Sequence, residues 1–229
     1  MILKKNILNT YKLNIIMEKY IWSLDISTTN IGCALWDNKG KLIELKHLEL
    51  KTDKNVPIEI RDIHKAEIFR EYVLEYKERI LNELNGEIIH IIVEEPLGGS
   101  NNSNTVSLLY GFNGICRYIL YTVFGIYPSK ISVYDSRKLF LINLVHTEKR
   151  KGEIVEVLSF PPEYIKEKKL YIWKKVCDLE KQIEWFYKKD GTLKDINFDL
   201  SDSYVVGIAG LIKLGILNKE DWKKRYLSI

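Results

Sequence analysis

Residues 20–50 read YIWSLDISTTNIGCALWDNKGKLIELKHLEL, and the prediction of the fold starts from them. The run from Tyr20 to Ile26 is rich in β-forming residues, and a second such run, from Ile31 to Trp36, follows a polar turn. Asn38-Lys39-Gly40 marks another turn, after which residues 42–50 alternate as a half-buried strand does. The stretch therefore predicts a three-stranded antiparallel meander.

The rest of the chain adds helices and two more strands to this meander. Apolar residues recur at near-helical spacing over 57–84, which predicts a surface helix. Residues 88–93 form a continuous apolar run, typical of a strand that is covered on both faces. A helix over 105–124, a short strand over 131–134 and a final helix over 201–214 complete the predicted order β-β-β-α-β-α-β-α.

The composition is that of an ordinary globular protein. The chain has 229 residues, of which 46% are hydrophobic and 29% charged, and no segment has the length and freedom from charge of a membrane-spanning helix. A formal charge of +4 is compatible with a polyanionic partner. The three cysteines lack the spacing of a zinc site or a disulfide framework, so we expect a reducing, cytoplasmic location and no membrane partner.

Two segments do not fit the core pattern. Residues 1–17 contain lysines and interrupted apolar residues that cannot form the core of an export signal, so we expect a disordered leader or an alternative start at Met17. We expect residues 18–229 to form a single domain. Within it, residues from about 145 to 197 fit poorly, and we expect a strand-poor helical insertion there.

Four acidic residues in three separated places are candidates for one shared site. Asp25 ends the first predicted strand, Glu94 follows the apolar fourth strand, and Asp199 and Asp202 are spaced as i and i+3 on one helix face. An ionised carboxylate beside apolar residues is costly to bury unless something neutralises it. Divalent cations such as Mg²⁺ prefer carboxylate oxygens, so one pair of metal ions would satisfy all four.

Three of these acids also have a purely structural interpretation. Asp25 would accept hydrogen bonds in the turn that follows it. Asp199 or Ser201 would serve as the N-cap of the last helix, with Asp202 in its first turn, where the helix dipole favours an anion. Taken one at a time, these interpretations compete with catalysis.

The adjacent pair Glu94 and Glu95 needs a choice. Either residue would also suit a strand end that reaches water. Successive strand residues point to opposite faces, so only one of the two can join Asp25. We expect Glu94 to join it and Glu95 to face the other side or solvent.

Together, the acidic motifs resemble those of RuvC-type Holliday junction resolvases in the RNase H-like (retroviral integrase-like) superfamily. The resemblance spans about residues 20–215, and its last motif departs from the His-x-x-Asp-Ala or Asp-Ala pattern frequent in that family. The connection over 146–197 is also longer than a compact resolvase needs. The similar segments are Leu24-Asp25-Ile26-Ser27 with Gly32, Val93-Glu94-Glu95, Asn101-Asn102-Ser103-Asn104-Thr105 with 108–114, and Asp199-Leu200-Ser201-Asp202-Ser203.

The resemblance implies an α/β, RNase H-like fold with a five-stranded mixed sheet, three antiparallel strands followed by two parallel ones, flanked by helices. It also implies a metal-dependent endodeoxyribonuclease that resolves four-way DNA junctions by paired symmetric nicks as a homodimer. Two Mg²⁺ ions, or Mn²⁺ in their place, would be held by Asp25 as the bridging ligand and by Glu94, Asp199 and Asp202. The helix over 105–124 would supply the dimer interface, although core packing explains its apolar residues equally well.

Several polar residues are candidates for contacts with DNA. Three asparagines belong to the segment that resembles a substrate loop, and the basic residues either follow the fifth strand or precede the last helix. A solvated helix face explains the lysines of the second group equally well. The candidates are Asn101, Asn102, Asn104, Arg137, Lys138, Lys168, Lys169, Lys174 and Lys175.

Three other functions are also compatible with the sequence. One is a less selective branched-DNA or flap nuclease of phage or mobile-element origin, since junction preference depends on loops and dimer geometry. Another is a sugar kinase or actin-type ATPase, because residues 25–30 (DISTTN) resemble the first phosphate loop of those enzymes. The third is a DNA-binding module that has lost catalysis.

Overall fold

A computed structural model describes residues 17–96 and 103–228. The strands of its main sheet are β1 (Glu18–Ile26), β2 (Asn30–Asp37), β3 (Leu42–Glu49), β4 (Gly86–Glu95) and β5 (Ser129–Ser132). Their order in the sheet is β3-β2-β1-β4-β5; β1, β2 and β3 are antiparallel, while β4 and β5 run parallel to β1. The predicted five-stranded mixed sheet, three antiparallel strands followed by two parallel ones, is confirmed.

Helices cover both faces of this sheet. The helices are α1 (Arg61–Asn82), α2 (Ser103–Phe124), α3 (Val133–Phe140), α4 (Lys168–Leu179), α5 (Ile196–Lys213) and α6 (Lys219–Leu227). The first face is covered by α1 and α2, and the second by α5, against which α3 and α4 pack. Helix α6 packs with Trp222 and Tyr226 on Phe140 of α3. Within the described residues, none of these helices has the length and apolar character needed to cross a membrane.

The first face is an aromatic and aliphatic core. Trp22 and Leu24 of β1 are fully buried there beside Phe69 of α1. The Trp22 ring stacks on Tyr76, with 4.5 Å between ring centroids. Because strand residues alternate, Ile21, Ser23 and Asp25 of the same strand point towards α5 on the second face.

The second face is held by a closely packed helix. The Ser23 hydroxyl donates a hydrogen bond to the Ser203 carbonyl oxygen at 2.9 Å and accepts one from Trp36 Nε1 at 3.0 Å. A Cβ atom at Gly207 would overlap the indole of Trp36, and one at Gly32 would overlap the backbone carbonyl of Asp199. Glycine at these two positions therefore lets α5 lie directly against β2.

The fifth strand is shorter than predicted. It ends at Ser132, so the expected extension to Tyr134 is wrong. The reason is a helix cap: Ser132 Oγ accepts the backbone N–H of Asp135 at 3.1 Å, and α3 begins at Val133. The helices α3 and α6 were not predicted.

The last core helix begins earlier than predicted. It starts at Ile196, so the interpretation of Asp199 or Ser201 as its N-cap is wrong. Asn197 stabilises this earlier start, because its side chain accepts the N–H of Phe186 at 3.0 Å and donates to the Phe186 carbonyl at 2.6 Å. Asp199 and Asp202 consequently lie inside the helix, with Asp199 in its first turn.

The segment over 145–197 is not the strand-poor helical insertion that we expected. It begins with a two-stranded antiparallel hairpin, β6 (Val145–Arg150) and β7 (Glu153–Leu158), and α4 is its single α-helix. Lys151 and Gly152 both have positive φ, 48° and 90°, which suits a two-residue hairpin turn. The predicted leader covers residues 1–17. Residues 1–16 lie outside the described residues, so of the leader only Met17 is described.

Candidate active site

The parallel pairing of β1 with β4 positions the first two acids. Leu24 pairs with Val93, so Asp25 and Glu94 come next on adjacent strands at the same edge of the sheet. Ile92 packs on the second face, and alternation places Glu94 on that face too. Glu95 instead forms an ion pair with Lys130 at 2.6 Å. The structure therefore brings Glu94, and not Glu95, to the Asp25 side chain.

Helix α5 adds the other two acids. Gly32 is the residue of β2 that pairs with Asp25, and the close approach of α5 at Gly32 brings the first turn of the helix beside it. All four predicted carboxylates line one cavity of about 290 Å³. Asp202 is the most buried of them, at 5% exposure. The same cavity is also lined by Ser27, Glu95, Leu109, Arg137 and Lys169, so Glu95 reaches its wall although it pairs with Lys130.

The carboxylates of α5 have basic partners. Lys169 Nζ of α4 lies 2.8 Å from Asp202 Oδ2, and Arg137 Nη2 of α3 lies 3.8 Å from Asp202 Oδ1. His47 Nε2 lies 3.4 Å from Asp199 Oδ2. Burial lowers the pKa of Lys169, but Asp202 and Asp25 raise it by more, so the ammonium stays charged.

Burial and neighbouring carboxylates raise the pKa values of Asp25 and Glu94. Burial, and then repulsion from Asp202, raise the pKa of Asp25 to about 7. Burial, and then repulsion from Asp25, raise the pKa of Glu94 well above its usual range. The two carboxyl groups interact with each other, and a hydrogen bond between them would require a proton on one of them. The cavity thus concentrates more negative charge than its cations neutralise.

The four carboxylates are suitable ligands for a divalent cation, but their side chains are not arranged around one common point. Within the described residues, no three histidine, cysteine, aspartate or glutamate side chains stand ready to hold a metal ion. Asp199 contacts His47, Asp202 contacts Lys169, and the carboxyl group of Asp25 interacts with that of Glu94. Four carboxylates at one cavity are nevertheless the oxygen ligands that Mg²⁺ and Mn²⁺ prefer, and a cation would offset the charge that raises these pKa values.

Only some of the predicted DNA-binding residues lie at the acidic cavity. Arg137 and Lys169 lie in the acidic cavity, and Asn104 lies exposed in the first turn of α2. Asn101 and Asn102 lie outside the described residues. The other lysines have partners elsewhere: Lys138 with Glu156 at 2.6 Å, Lys168 over the Phe160 ring, Lys174 with the Tyr164 hydroxyl at 2.9 Å, and Lys175 with Asp178 at 3.7 Å.

Two residues of the site were not predicted from the sequence. His47 reaches Asp199 because it pairs with Gly32, the position at which α5 touches the sheet. Asn113 of α2 donates a hydrogen bond from Nδ2 to the Glu94 carbonyl at 3.2 Å and so fixes the end of β4. Neither contact can be found without the strand register and the helix position.

Comparisons with known proteins found matches among solved structures alone. No protein-family model and no curated protein matches the chain. A solved structure of RuvC from Thermus thermophilus in complex with a Holliday junction substrate is 10% identical, with a TM-score of 0.48 over 86% of this chain and 97% of that chain. The yeast mitochondrial Holliday junction resolvase Ydc2 is also 10% identical, with a TM-score of 0.49 over 89% and 83%. The chain is similar to Holliday junction resolvases.

The chain is also similar to a ROK hexokinase from Thermus thermophilus, which is 15% identical, with a TM-score of 0.34 over 62% of this chain and 47% of that chain.

Proposed function

We propose that this protein is a metal-dependent endodeoxyribonuclease that cuts branched DNA and resolves four-way junctions by paired, symmetric nicks. The observation that carries the proposal is the convergence of Asp25, Glu94, Asp199 and Asp202 from two strands and one helix on a single cavity. Four carboxylates around one cavity repel one another, so a structural role explains them poorly. Binding of cations explains their proximity.

The four carboxylates would hold two divalent ions, Mg²⁺ or Mn²⁺, with Asp25 as the shared ligand. Bound cations supply Lewis acidity for hydrolysis of a phosphodiester. Asp25 and Glu94 would both be ionised when a cation enters, because ligands must be deprotonated. Asp202 would exchange Lys169 for the cation.

Two basic residues would then act on the substrate. The Lys169 side chain is 51% exposed, so its ammonium can leave Asp202 and reach a phosphate oxygen of the bound strand. Arg137, which lines the same cavity, presents a planar donor group suited to a second phosphate contact. Asn104, at the start of α2, and Asn101 and Asn102 before it would contact the strand on its way into the cavity.

Paired nicks require two active sites, and helix α2 offers a surface for a second copy. Its outer side exposes Leu108, Ile115 and Tyr118, while Gly111 and Gly114 leave open space between them. Among the 22 residues of α2, Arg117 is the only charged one. Bulky and small residues on one face with a single charge would interlock around a two-fold axis, which matches the symmetry of a four-way junction.

The turn after β1 bears on the kinase-like alternative, which needs a phosphate-binding loop there. In the turn after Asp25, Ser27 Oγ accepts the backbone N–H of Asn30 at 3.0 Å and donates to the Asn30 carbonyl at 2.8 Å. The hydroxyl is thus engaged within the turn, as a tight β1–β2 connection requires, and not directed to a phosphate. A flap nuclease of broad selectivity would use the same carboxylates. Cleavage of different DNA substrates is therefore needed to distinguish it from a resolvase.

The test is cleavage of synthetic DNA by the purified full chain in Mg²⁺. Four-way junctions, flaps and duplexes of related sequence are incubated with the wild type and with Asp25→Asn. We expect symmetric nicks in the junction and a loss of about 1,000-fold in Asp25→Asn, because charge stabilisation by bound cations is worth several kcal/mol. Asp53→Asn, at an exposed loop residue, is the matched control and should cleave as the wild type does.

Three outcomes would contradict parts of the proposal. Equal cleavage of all substrates would leave a general nuclease and remove the junction selectivity. Unchanged cleavage by Asp25→Asn would remove the carboxylate mechanism. ATP turnover without any DNA cleavage would favour the kinase-like alternative.

A further inference from the structure

A groove beside the acidic cavity has no role in the chemistry described so far. It runs between the residues around the start of α4 and the segment that leads into α5, with a volume of about 550 Å³. This is within the usual size of small-molecule sites. We call it the α4 groove; it is lined by Ile165, Lys166, Glu167, Lys168, Lys169, Leu170, Leu193 and Phe198.

The α4 groove is continuous with the acidic cavity. Lys169 lines both, and its ammonium already contacts Asp202 at 2.8 Å. Phe198 of the groove directly precedes Asp199 of the cavity on α5. A strand with one phosphate at the carboxylates would therefore have its neighbouring nucleotide at the groove.

The groove combines an apolar floor with a basic rim. Leu170, Leu193 and Phe198 are partly buried side chains of the floor. Lys166, Lys168 and Lys169 outnumber the single acid, Glu167, on the rim. Single-stranded nucleic acid is bound by this combination, because a base stacks on an aromatic floor while cations follow the backbone.

The rim lysines do not serve the stability of their own helix. Lys168 and Lys169 open α4, and the first turn of this helix contains no acidic residue. Cations in a first turn oppose the helix dipole and are mildly destabilising. Lys169 pairs with Asp202 and Lys168 lies over the Phe160 ring, and an anionic ligand that passes along the groove would give these cations, together with Lys166, a further partner.

We propose that the α4 groove holds an unstacked nucleotide next to the scissile phosphate, with its base against Phe198 and its phosphate near Lys166 and Lys168. The inference rests on the proposed nuclease function and adds to it a source of substrate selection. A base must leave the helical stack to enter the groove, and this costs least where the DNA is already unpaired. The groove would thereby favour cleavage at a branch over cleavage in a duplex.

The test measures binding without cleavage in an Asp25→Asn background. Fluorescently labelled four-way junctions and duplexes of the same sequence are titrated without metal over a series of salt concentrations. Lys166→Ala/Lys168→Ala should reduce the slope of log affinity against log salt for the junction by about 1.5, since each phosphate contact contributes about 0.7–0.9. Lys188→Ala/Lys189→Ala, with exposed lysines of the same insertion, should leave the slope unchanged.

The aromatic floor is tested separately. Phe198→Leu should weaken binding to the junction about tenfold and leave duplex binding unchanged, because stacking on an aromatic ring is lost while apolar volume is kept. Phe198→Tyr keeps a ring and should retain junction binding. Urea unfolding of each variant shows whether it is folded; a Phe198→Leu variant that does not fold leaves the lysine variants as the deciding measurement.

The proposal and the function on which it rests fail in different ways. If the wild type cleaves junctions while the lysine and Phe198 variants bind as the background protein does, the groove proposal is overturned alone. Equal losses on junction and duplex in Phe198→Leu would also overturn it. If the wild type neither cleaves nor prefers junctions, the proposed function fails as well.

Discussion

The two faces of the central sheet differ in how they are packed: one is filled by large apolar rings, and the other by a helix in close contact with buried acids beside it. On the α1–α2 face, large rings fill the space, with Trp22 stacked on Tyr76. Polar contacts there lie at the margin, where Glu44 accepts two hydrogen bonds from Arg79, at 2.6 and 2.8 Å. On the α5 face, glycines remove side chains so that a helix can touch the sheet, and carboxylates are buried beside it.

This difference separates stability from chemistry within one sheet. The α1–α2 face buries apolar area without unpaired charge, which stabilises the fold. The α5 face brings together four acids that repel one another, which costs stability. Changes on the first face should alter the free energy of unfolding and spare activity, and changes on the second should alter activity most.

Among changes outside the four carboxylates, the largest effect is expected for Gly32→Ala. The new methyl group would overlap the Asp199 carbonyl, so α5 must move away from β2. Overpacking of this kind costs about 1–3 kcal/mol, and a displacement of about 1 Å in a catalytic group costs about 100-fold in rate. Urea unfolding and junction cleavage measure the two effects.

Gly111→Ala is the control for Gly32→Ala. A Cβ at Gly111 meets open space, and alanine favours a helix over glycine, so the isolated subunit should be as stable as the wild type or more so. If Gly32→Ala cleaves junctions at the wild-type rate, the close approach of α5 does not position the site.

The second prediction concerns the dependence of stability on pH without metal. The pKa of Asp25 rises from 3.8 in the unfolded chain to about 7 in the folded one, so the folded state keeps a proton that the unfolded state releases. Stability should therefore be greatest below about pH 4 for this group and fall as the pH rises to about 7. The full loss should be on the order of 4 kcal/mol, since the shift is about three pKa units and one unit corresponds to about 1.4 kcal/mol.

Unfolding in urea at pH 5 and pH 8, with a chelator or with Mg²⁺, measures this dependence. Asp25→Asn should be more stable than the wild type at pH 8 in the chelator, and Mg²⁺ should stabilise the wild type alone. A wild type that gains no stability from Mg²⁺ at pH 8 would count against cation binding by these carboxylates.

The third prediction tests the outer surface of α2. Tyr118 is 68% exposed, so Tyr118→Lys should change the stability of the isolated subunit by less than about 0.5 kcal/mol. A charge in the proposed dimer interface should weaken self-association at least tenfold, measured by sedimentation equilibrium. Leu74→Lys on α1 is the control, because ten of the 22 residues of that helix are charged and its outer side suits solvent. Equal association of both variants and the wild type would contradict the interface.

The smallest effect is expected on the α1–α2 face. Tyr76→Phe removes the hydroxyl that donates to Glu44 Oε1 at 2.6 Å, while Arg79 still pairs with that glutamate. The loss should be about 1 kcal/mol in the free energy of unfolding, without change in cleavage. A change in cleavage comparable to that of Gly32→Ala would show that the two faces are not separate.

Local pattern was sufficient for much of the sheet. The runs after Tyr20, Ile31 and Ile88 predicted β1, β2 and β4, because strand-forming residues and turn residues act over a few positions. The hairpin at 145–158 was missed even though Lys151-Gly152 is a turn signal and residues 153–158 (EIVEVL) are rich in β-formers. The many lysines of this segment also suit a solvated helix surface, so composition favours a helix there while the local turn and strand signals favour a hairpin.

The sequence by itself determined which acids stand at the ends of β1 and β4, since the side-chain alternation of strands is a local property. It also placed Asp199 and Asp202 on one side of a helix, since their spacing fixes that. Only the tertiary structure decided that Asp199 contacts His47, that Lys169 reaches Asp202 from α4, and that Gly32 admits α5. These contacts join residues far apart in the chain, and they depend on strand register and helix packing, which no local pattern contains.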